Sequence, residues 1–230
     1  MNATARPSSA REQTRKQLIE AGEKLFAESG IDAVSLRQIN VAAGQKNSSA
    51  AHYHFGSKDA LIIAIYEYRM EHVNTRRRQH LERLRTQKKV SVRDVVECIV
   101  YPIVEEIDSS KSGSSYIRFL AQAMGHPQLD LTELWKNPHG EALGQALELL
   151  RSTLPKMDAA LFGQRFGLTL EQIFHSLADR ERLRTSSKKS FGVDSTVFVS
   201  NLVDFIAGAL AADVSDMTKQ ELKRATRSAG

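Results

Sequence analysis

The stretch "GQKNSSAAHYHFGSKDAL", residues 44–61, gathers hydrogen-bonding side chains on a segment too short to bury much. Three rings, His52, Tyr53 and His54, follow the small polar run Asn47, Ser48 and Ser49, and Lys58 comes shortly after. Such groups could form a catalytic centre, a metal site, a surface that docks onto something polar, or a helical hairpin with no special duty. Metal ligation fails on geometry. Two histidines two positions apart diverge by about 200° around a helix, whereas helical ligand pairs stand three or four apart. No carboxylate triad or glycine-rich phosphate loop accompanies them, so no catalytic residue, cofactor or metal is expected here.

The elements that must position these groups read as helices. Only 5 Pro and 13 Gly occur in 230 residues, and strand-like alternation is rare. Leu18, Gly22, Leu25 and Phe26 have helical spacing and stop near Gly30. Ser35 and Gln38 fit a capping box that opens a second helix, which Gly44 closes after about two turns. A third short helix is expected to start at Asn47 or Ser48 and to end at Phe55-Gly56. Ser57 then caps a long fourth helix through Leu61, Ile62, Ile65, Tyr66 and Arg69. Residues 35–55 therefore have helix-turn-helix spacing, in which the second helix lies in the DNA major groove. Charge agrees. Residues 1–89 hold 16 Lys+Arg against 9 Asp+Glu, a net of +7, and residues 90–230 hold 16 against 18, a net of −2. A basic front suggests a polyanion as partner.

Taken together, "AGEKLFAESG", the helix opening at Ser35, "AAG", "YHFGSKDAL" and the long helix after it resemble the TetR family of transcriptional regulators, from Thr14 to about Arg69. The family usually has one residue fewer between its "AG" turn and its "Y-H-F" end. Either the turn is longer here, or the recognition helix starts one residue earlier. The resemblance implies that Tyr53 and His54, with His52 beside them, contact phosphates or base edges, and that Lys58 binds a phosphate at the first turn of the fourth helix. Arg37 would clamp another phosphate or reach a base edge. Asn47, Ser48, Ser49 and Ala50 would face the groove, where hydroxyls bond base edges and a methyl packs on thymine. Phe55 reads instead as a core residue.

The implied fold is all-α: an N-terminal three-helix helix-turn-helix domain joined by a long fourth helix to a C-terminal helical ligand-binding and dimerisation domain. The expected boundaries are a flexible arm at 1–11, the DNA-binding domain at 12–71, the effector and dimerisation domain at 72–215, and a polar tail at 216–230. Cys98, the single cysteine, excludes an internal disulfide and reads as a buried inert thiol. "VRDVVECIVYPIVEEI" should form an apolar helix kinked at Pro102. Phe119, Met124 and Trp135 are large and soft, suited either to core packing or to an apolar effector pocket.

Two late segments carry more apolar surface than one core needs. Phe162, Phe166 and Ile173 lie on one stripe, and Leu202, Phe205 and Ala209 line the second helix, so both helices are expected at a homodimer interface. The N-terminus lacks a signal-peptide core and no run reaches the ~20 apolar residues of a membrane span. A cytoplasmic protein with no membrane partner is expected. The function expected is a sequence-specific DNA-binding regulator, a repressor released from a palindromic operator by a small, partly apolar effector. The alternatives are a DNA-bound helical scaffold using the same DNA domain, or a helical small-molecule enzyme.

Overall fold

The computed structural model describes residues 7–126, 140–185 and 194–228, and no strand occurs among them. The first helix, α1, spans Pro7–Ser29. It begins inside the stretch expected to be a flexible arm, because proline fits the first helical turn, where its missing N–H would be unpaired anyway. Gly30 stops it at a φ of 91°. Next come α2, Leu36–Ala42, α3, Ala50–Phe55, and α4, Lys58–Arg85. The capping box predicted for α2 is present: Gln38 N donates to Ser35 Oγ at 3.3 Å, and Ser35 N donates to Gln38 Oε1 at 2.8 Å. Ser57 caps α4 by accepting from Ala60 N at 3.1 Å.

The remaining helices are α5, Val92–Ser109, α6, Gly113–Met124, α7, Glu141–Thr153, α8, Ala159–Thr185, α9, Ser195–Ala211, and α10, Asp216–Ser228. Pro102 lies within α5, which continues through it to Ser109. The segment expected as a polar tail is helical in α10, with an exposed, charged surface.

Two apolar cores share α4. Leu18, Ile19 and Phe26 of α1, Ile39 of α2, Ala51 of α3 and Leu61, Ile62 and Ile65 of α4 close the N-terminal head. Beyond Tyr66, α4 contributes Met70 and Val73 to a larger core with α5 to α9, centred on Val96, Ile99, Ile103, Leu120, Leu170, Ile173 and Val203. The helix α6 belongs to both: Tyr116, Ile117 and Leu120 face the larger core, while Phe119 and Ala123 pack into the head.

The turn from α5 to α6 brings Gly113 against the end of α5. A Cβ at Gly113 would lie 2.0 Å from Ile107 O and 2.5 Å from Ile107 Cα, so only glycine fits. Gly113→Ala is therefore expected to lower stability by about 1–3 kcal/mol in urea denaturation through overpacking. Gly125→Ala, with nothing within 4 Å of its Cβ, should be close to neutral.

Candidate nucleic-acid interface

The register of α3 is set by a residue that nothing in the sequence marks out, Asn40. Its side chain is buried near the end of α2, where Nδ2 donates to Ser48 O at 2.5 Å and Oδ1 accepts from Ala51 N at 2.8 Å. One amide thus ties α2 to both the end of the turn and the start of α3. Gly44 bends the chain at a φ of 67°, Gln45 N donates to Asn40 O at 3.0 Å, and Asn47 Oδ1 accepts from Ser49 N at 2.9 Å. The helix α3 starts at Ala50, later than the Asn47 or Ser48 expected from capping preferences.

That register decides which expected residues face outward. Ala50 is only 6% exposed and Ala51 is fully buried, so Ala50 is a head-core residue and not a base-facing methyl. Asn47, Ser48, Ser49, His52 and Tyr53 are exposed, with Tyr53 at 69%. On α2, Arg37 is exposed, and Val41, one turn along the same face, is 74% exposed. Phe55 is half-buried against the head core, as its core reading requires.

Lys58 departs from expectation. Its ammonium is half-buried and donates to Ile31 O at 2.9 Å and Val34 O at 3.3 Å, the carbonyls of the α1–α2 turn. The side chain fastens α4 to that turn instead of projecting toward a phosphate.

Two cations missing from the sequence reading border α3 instead. The Arg11 guanidinium lies 5.6 Å from the Tyr53 ring centre, and that of Arg15 lies 5.3 Å from the Phe55 ring centre. Both come from α1, some forty residues upstream, so adjacency in sequence could not reveal them. Tyr53 and His54 pack edge to face at 5.3 Å. Burial lowers the His54 pKa below its ordinary value, and the charges of Arg11 and Arg15 lower it further. The ring is therefore a neutral donor and acceptor at neutral pH.

The C-terminal candidates divide. Phe119 is fully buried and stacks on Phe26 of α1 at 6.0 Å, so it joins α6 to the head. Met124 does line a closed cavity, with Tyr66, Met70, Arg77, Ile99, Ile103, Leu143, Leu170 and Phe174. Trp135 lies outside the described residues. Of the expected interface set, Phe166, Ile173 and Leu202 are buried within this chain's own core. Phe162 is half-buried against Phe166 with Arg151 above its ring. Phe205, at 59% exposure, and Ala209 face outward. Beside them Leu168, at 68%, and Val197 are exposed, and Leu168, His175, Phe205, Ile206 and Ala209 border an open groove of about 370 Å³.

Cys98 matches its inert reading. It is buried, its thiol donates to Arg77 O at 3.7 Å, and burial pushes its pKa up to about 11 against the opposing charge of Arg77.

A capped helix, a glycine turn and a second helix whose outer face is polar, aromatic and bordered by arginines define a protein of the helix-turn-helix class. Residues 18–65 match the model of the bacterial regulatory proteins of the tetR family, and residues 97–209 match a tetracyclin repressor-like C-terminal domain. The chain belongs to the TetR family of bacterial transcriptional regulators. It is similar to the HTH-type transcriptional dual regulator CecR of Shigella flexneri, with 39% identity over 71 residues, a match spanning about a third of either chain (31% of each). Its fold is also similar to NalD, the secondary repressor of the MexAB-OprM multidrug efflux pump in Pseudomonas aeruginosa. That likeness covers 90% of this chain and 100% of NalD at a TM-score of 0.53 and 21% identity.

The placement of Lys58 makes it a structural cation. Lys58→Met, which keeps the stem and removes the donors, should lower stability by about 1–3 kcal/mol, because Val34 O loses the ammonium and Ile31 O is left with the Val34 N–H at 3.4 Å. Equilibrium urea denaturation reads this directly, and an unchanged midpoint would show that the ammonium is not anchored there.

Proposed function

We propose that the chain is a sequence-specific repressor that binds a palindromic operator as a homodimer and is released by a small, partly apolar effector. On this reading residues 12–71 read DNA, with the start of α1 adding Arg11, and residues 72–215 bind the effector and dimerise. The observation that carries the DNA part is the exposure of Arg37 and Val41 of α2, Asn47 to Ser49 of the turn, and His52 and Tyr53 of α3, which we read as one face. A face that leaves a valine and a tyrosine in water beside polar groups fits a groove offering thymine methyls, base edges and phosphates together.

Within that face the roles differ. Arg11 and Arg15 supply charge at its border and suit phosphates; Arg37 can clamp a phosphate or reach a base edge. His52, Ser48 and Ser49 present donors and acceptors to base edges, and Val41 offers an apolar contact. Arg11→Ala should weaken binding to all DNA alike and reduce the log–log salt slope by about 1 per subunit. His52→Ala should instead change which sequences bind, by roughly 1–3 kcal/mol per lost base contact. Fluorescence anisotropy on a randomised operator library separates the two behaviours. Uniform weakening by His52→Ala would remove α3 from base reading.

The dimer part rests on Leu168 of α8 with Val197 and Phe205 of α9, large apolar side chains left in solvent on helices whose inner faces are already filled. Paired α8 and α9 helices from two copies would cover them in an isologous four-helix contact. Phe205→Glu would then bury an unpaired charge at a cost of roughly 3–5 kcal/mol. Because the side chain is exposed in one protomer, the variant should fold normally, sediment as a monomer and lose most operator affinity. A variant that stays dimeric with unaltered DNA binding would rule this interface out.

A further inference from the structure

Two arginines of α4 stand eight residues apart, both buried, in opposite circumstances. Arg69 is ion-paired with Glu23 and Glu106 at 2.6 and 3.0 Å. Arg77 is 2% exposed, and among the described residues no carboxylate lies within ion-pairing distance of it. Its Nη1 donates to Asn74 Oδ1, its Nη2 reaches Ile99 O at a marginal 3.5 Å, and its Nε is buried with no partner. Close by is the Tyr116 hydroxyl, also buried and also without a partner. Burial lowers the Arg77 pKa, and the groups that oppose this are Cys98, Tyr66 and Tyr116, with no acid among them. Arginine does not lose its proton in proteins, so the charge stays and its cost stays with it.

Arg77 also borders a cavity. The closed space between α4, α5, α6, α7 and α8 holds about 20 Å³, room for about one water, and is otherwise walled by Met70, Ile103, Met124, Leu143, Leu170 and Phe174 beside Tyr66 and Ile99. An arginine in the wall of an otherwise apolar chamber fits a ligand with an anionic head and an apolar body. The matching head is a flat monoanion. Its two oxygens can face the guanidinium edge bidentately, and one negative charge balances one positive charge. A phosphate dianion would bring a second charge into a chamber whose described lining holds no second cation.

We propose that this cavity is the effector site and that the effector is a small organic carboxylate, its carboxylate held by Arg77 and its apolar body lying among Met70, Met124, Leu170 and Phe174. The proposal rests on the regulator reading above and adds the chemical class of the effector. Occupancy needs more room than the present cavity gives. Met124, unbranched and at the end of α6, is the wall best able to move, and α6 is fixed to the head through Phe119 on Phe26 and through Arg118 Nη2 donating to Ala27 O at 2.9 Å.

The test uses the full chain and needs no DNA. Thermal melts are recorded with benzoate, phenylacetate and hexanoate, and with the corresponding primary amides, which keep the shape and lose the charge. At least one carboxylate should raise Tm by about 3 °C or more at saturation, with no shift from its amide. Arg77→Met should abolish the shift while melting no lower than the wild type, since it removes an uncompensated charge. Arg77→Lys, which keeps the charge and loses the fork, should weaken apparent affinity about tenfold without abolishing it. Equal shifts from acid and amide, a shift that survives in Arg77→Met, or no shift from any of the three acids would overturn the proposal. Operator binding by ligand-free Arg77→Met is measured in parallel and should match the wild type. Loss of DNA binding in the wild type itself would defeat the regulator reading and leave the carboxylate result standing.

Discussion

The structure hangs on one buried arginine. Arg69 of α4 meets Glu23 of α1 with two nitrogens, at 2.6 and 2.7 Å, and Glu106 of α5 with a third contact at 3.0 Å, while it also donates to Ser110 and Ser112 in the α5–α6 turn. Four segments thus converge on one guanidinium. Burial opposes its charge, but Glu23 and Glu106 outweigh that and hold its pKa above the ordinary arginine value. Burial also raises the Glu23 pKa, and Arg69 only partly offsets this. Arg76, 3.5 Å from Glu106, supplies the second positive charge that a site with two carboxylates requires. Such a cluster adds little net stability over an apolar replacement, yet removing a single member is costly. Its effect is geometric: the head can change its angle to the C-terminal helices only if this cluster is broken or carried along whole.

The same constraint explains the position of Gly113. The serines that bond Arg69 lie just before it, and they reach the guanidinium because α6 starts in backbone contact with Ile107. From there α6 runs along the head, with Phe119 and Ala123 in the head core and Tyr116, Ile117 and Leu120 in the larger one. Arg118 and Gln122 both donate to Ala27 O of α1, and His126 pairs with Asp32 at 3.3 Å. Head and C-terminal domain therefore share side chains instead of meeting through a linker. A packed joint of this kind has discrete arrangements and resists gradual deformation.

Much of this was legible in the sequence wherever the cause is local. Ser35-Gln38, Ser57, Gly30, Gly44 and Gly56 act within one turn of chain, and the caps and stops stand where those residues predict. What depends on distant contacts was not legible. Asn40 is a polar residue in a two-turn helix, and only folding shows that its amide is buried and sets the start of α3; with it the sequence reading would have placed Ala50 inside. Lys58 carries the same charge whether it meets a phosphate or two carbonyls of the α1–α2 turn. Phe119 is an aromatic in an apolar helix, and no periodicity says that its partner is Phe26, more than ninety residues away. On α8 and α9 the excess of apolar residues implied burial from two sides, and this chain supplies one of them. Which stripe faces which side was decided by the chain's own core, which took Phe166, Ile173 and Leu202 and left Leu168 and Phe205 outside.

If the proposed effector site couples to the head, the two buried arginines of α4 give that coupling a physical path. Eight residues of helix separate Arg69 from Arg77 by about 12 Å along the axis, and a helix transmits axial displacement over that distance with little loss. Cavity and joint share α4, α5 and α6, since Met70, Ile103 and Met124 wall the cavity while Arg69, Glu106 and Ser112 form the joint. A ligand that enlarges the cavity must push on helices that the joint also holds. With Glu23 and Lys58 fastening α1 and the α1–α2 turn to α4, the head follows α4 as a body. Two heads on one operator tolerate little change in spacing. A ligand shifts that equilibrium only by as much as it binds the two arrangements differently. An arginine with no carboxylate within ion-pairing distance among the described residues gives an anion that difference wherever the second arrangement lets it reach the guanidinium.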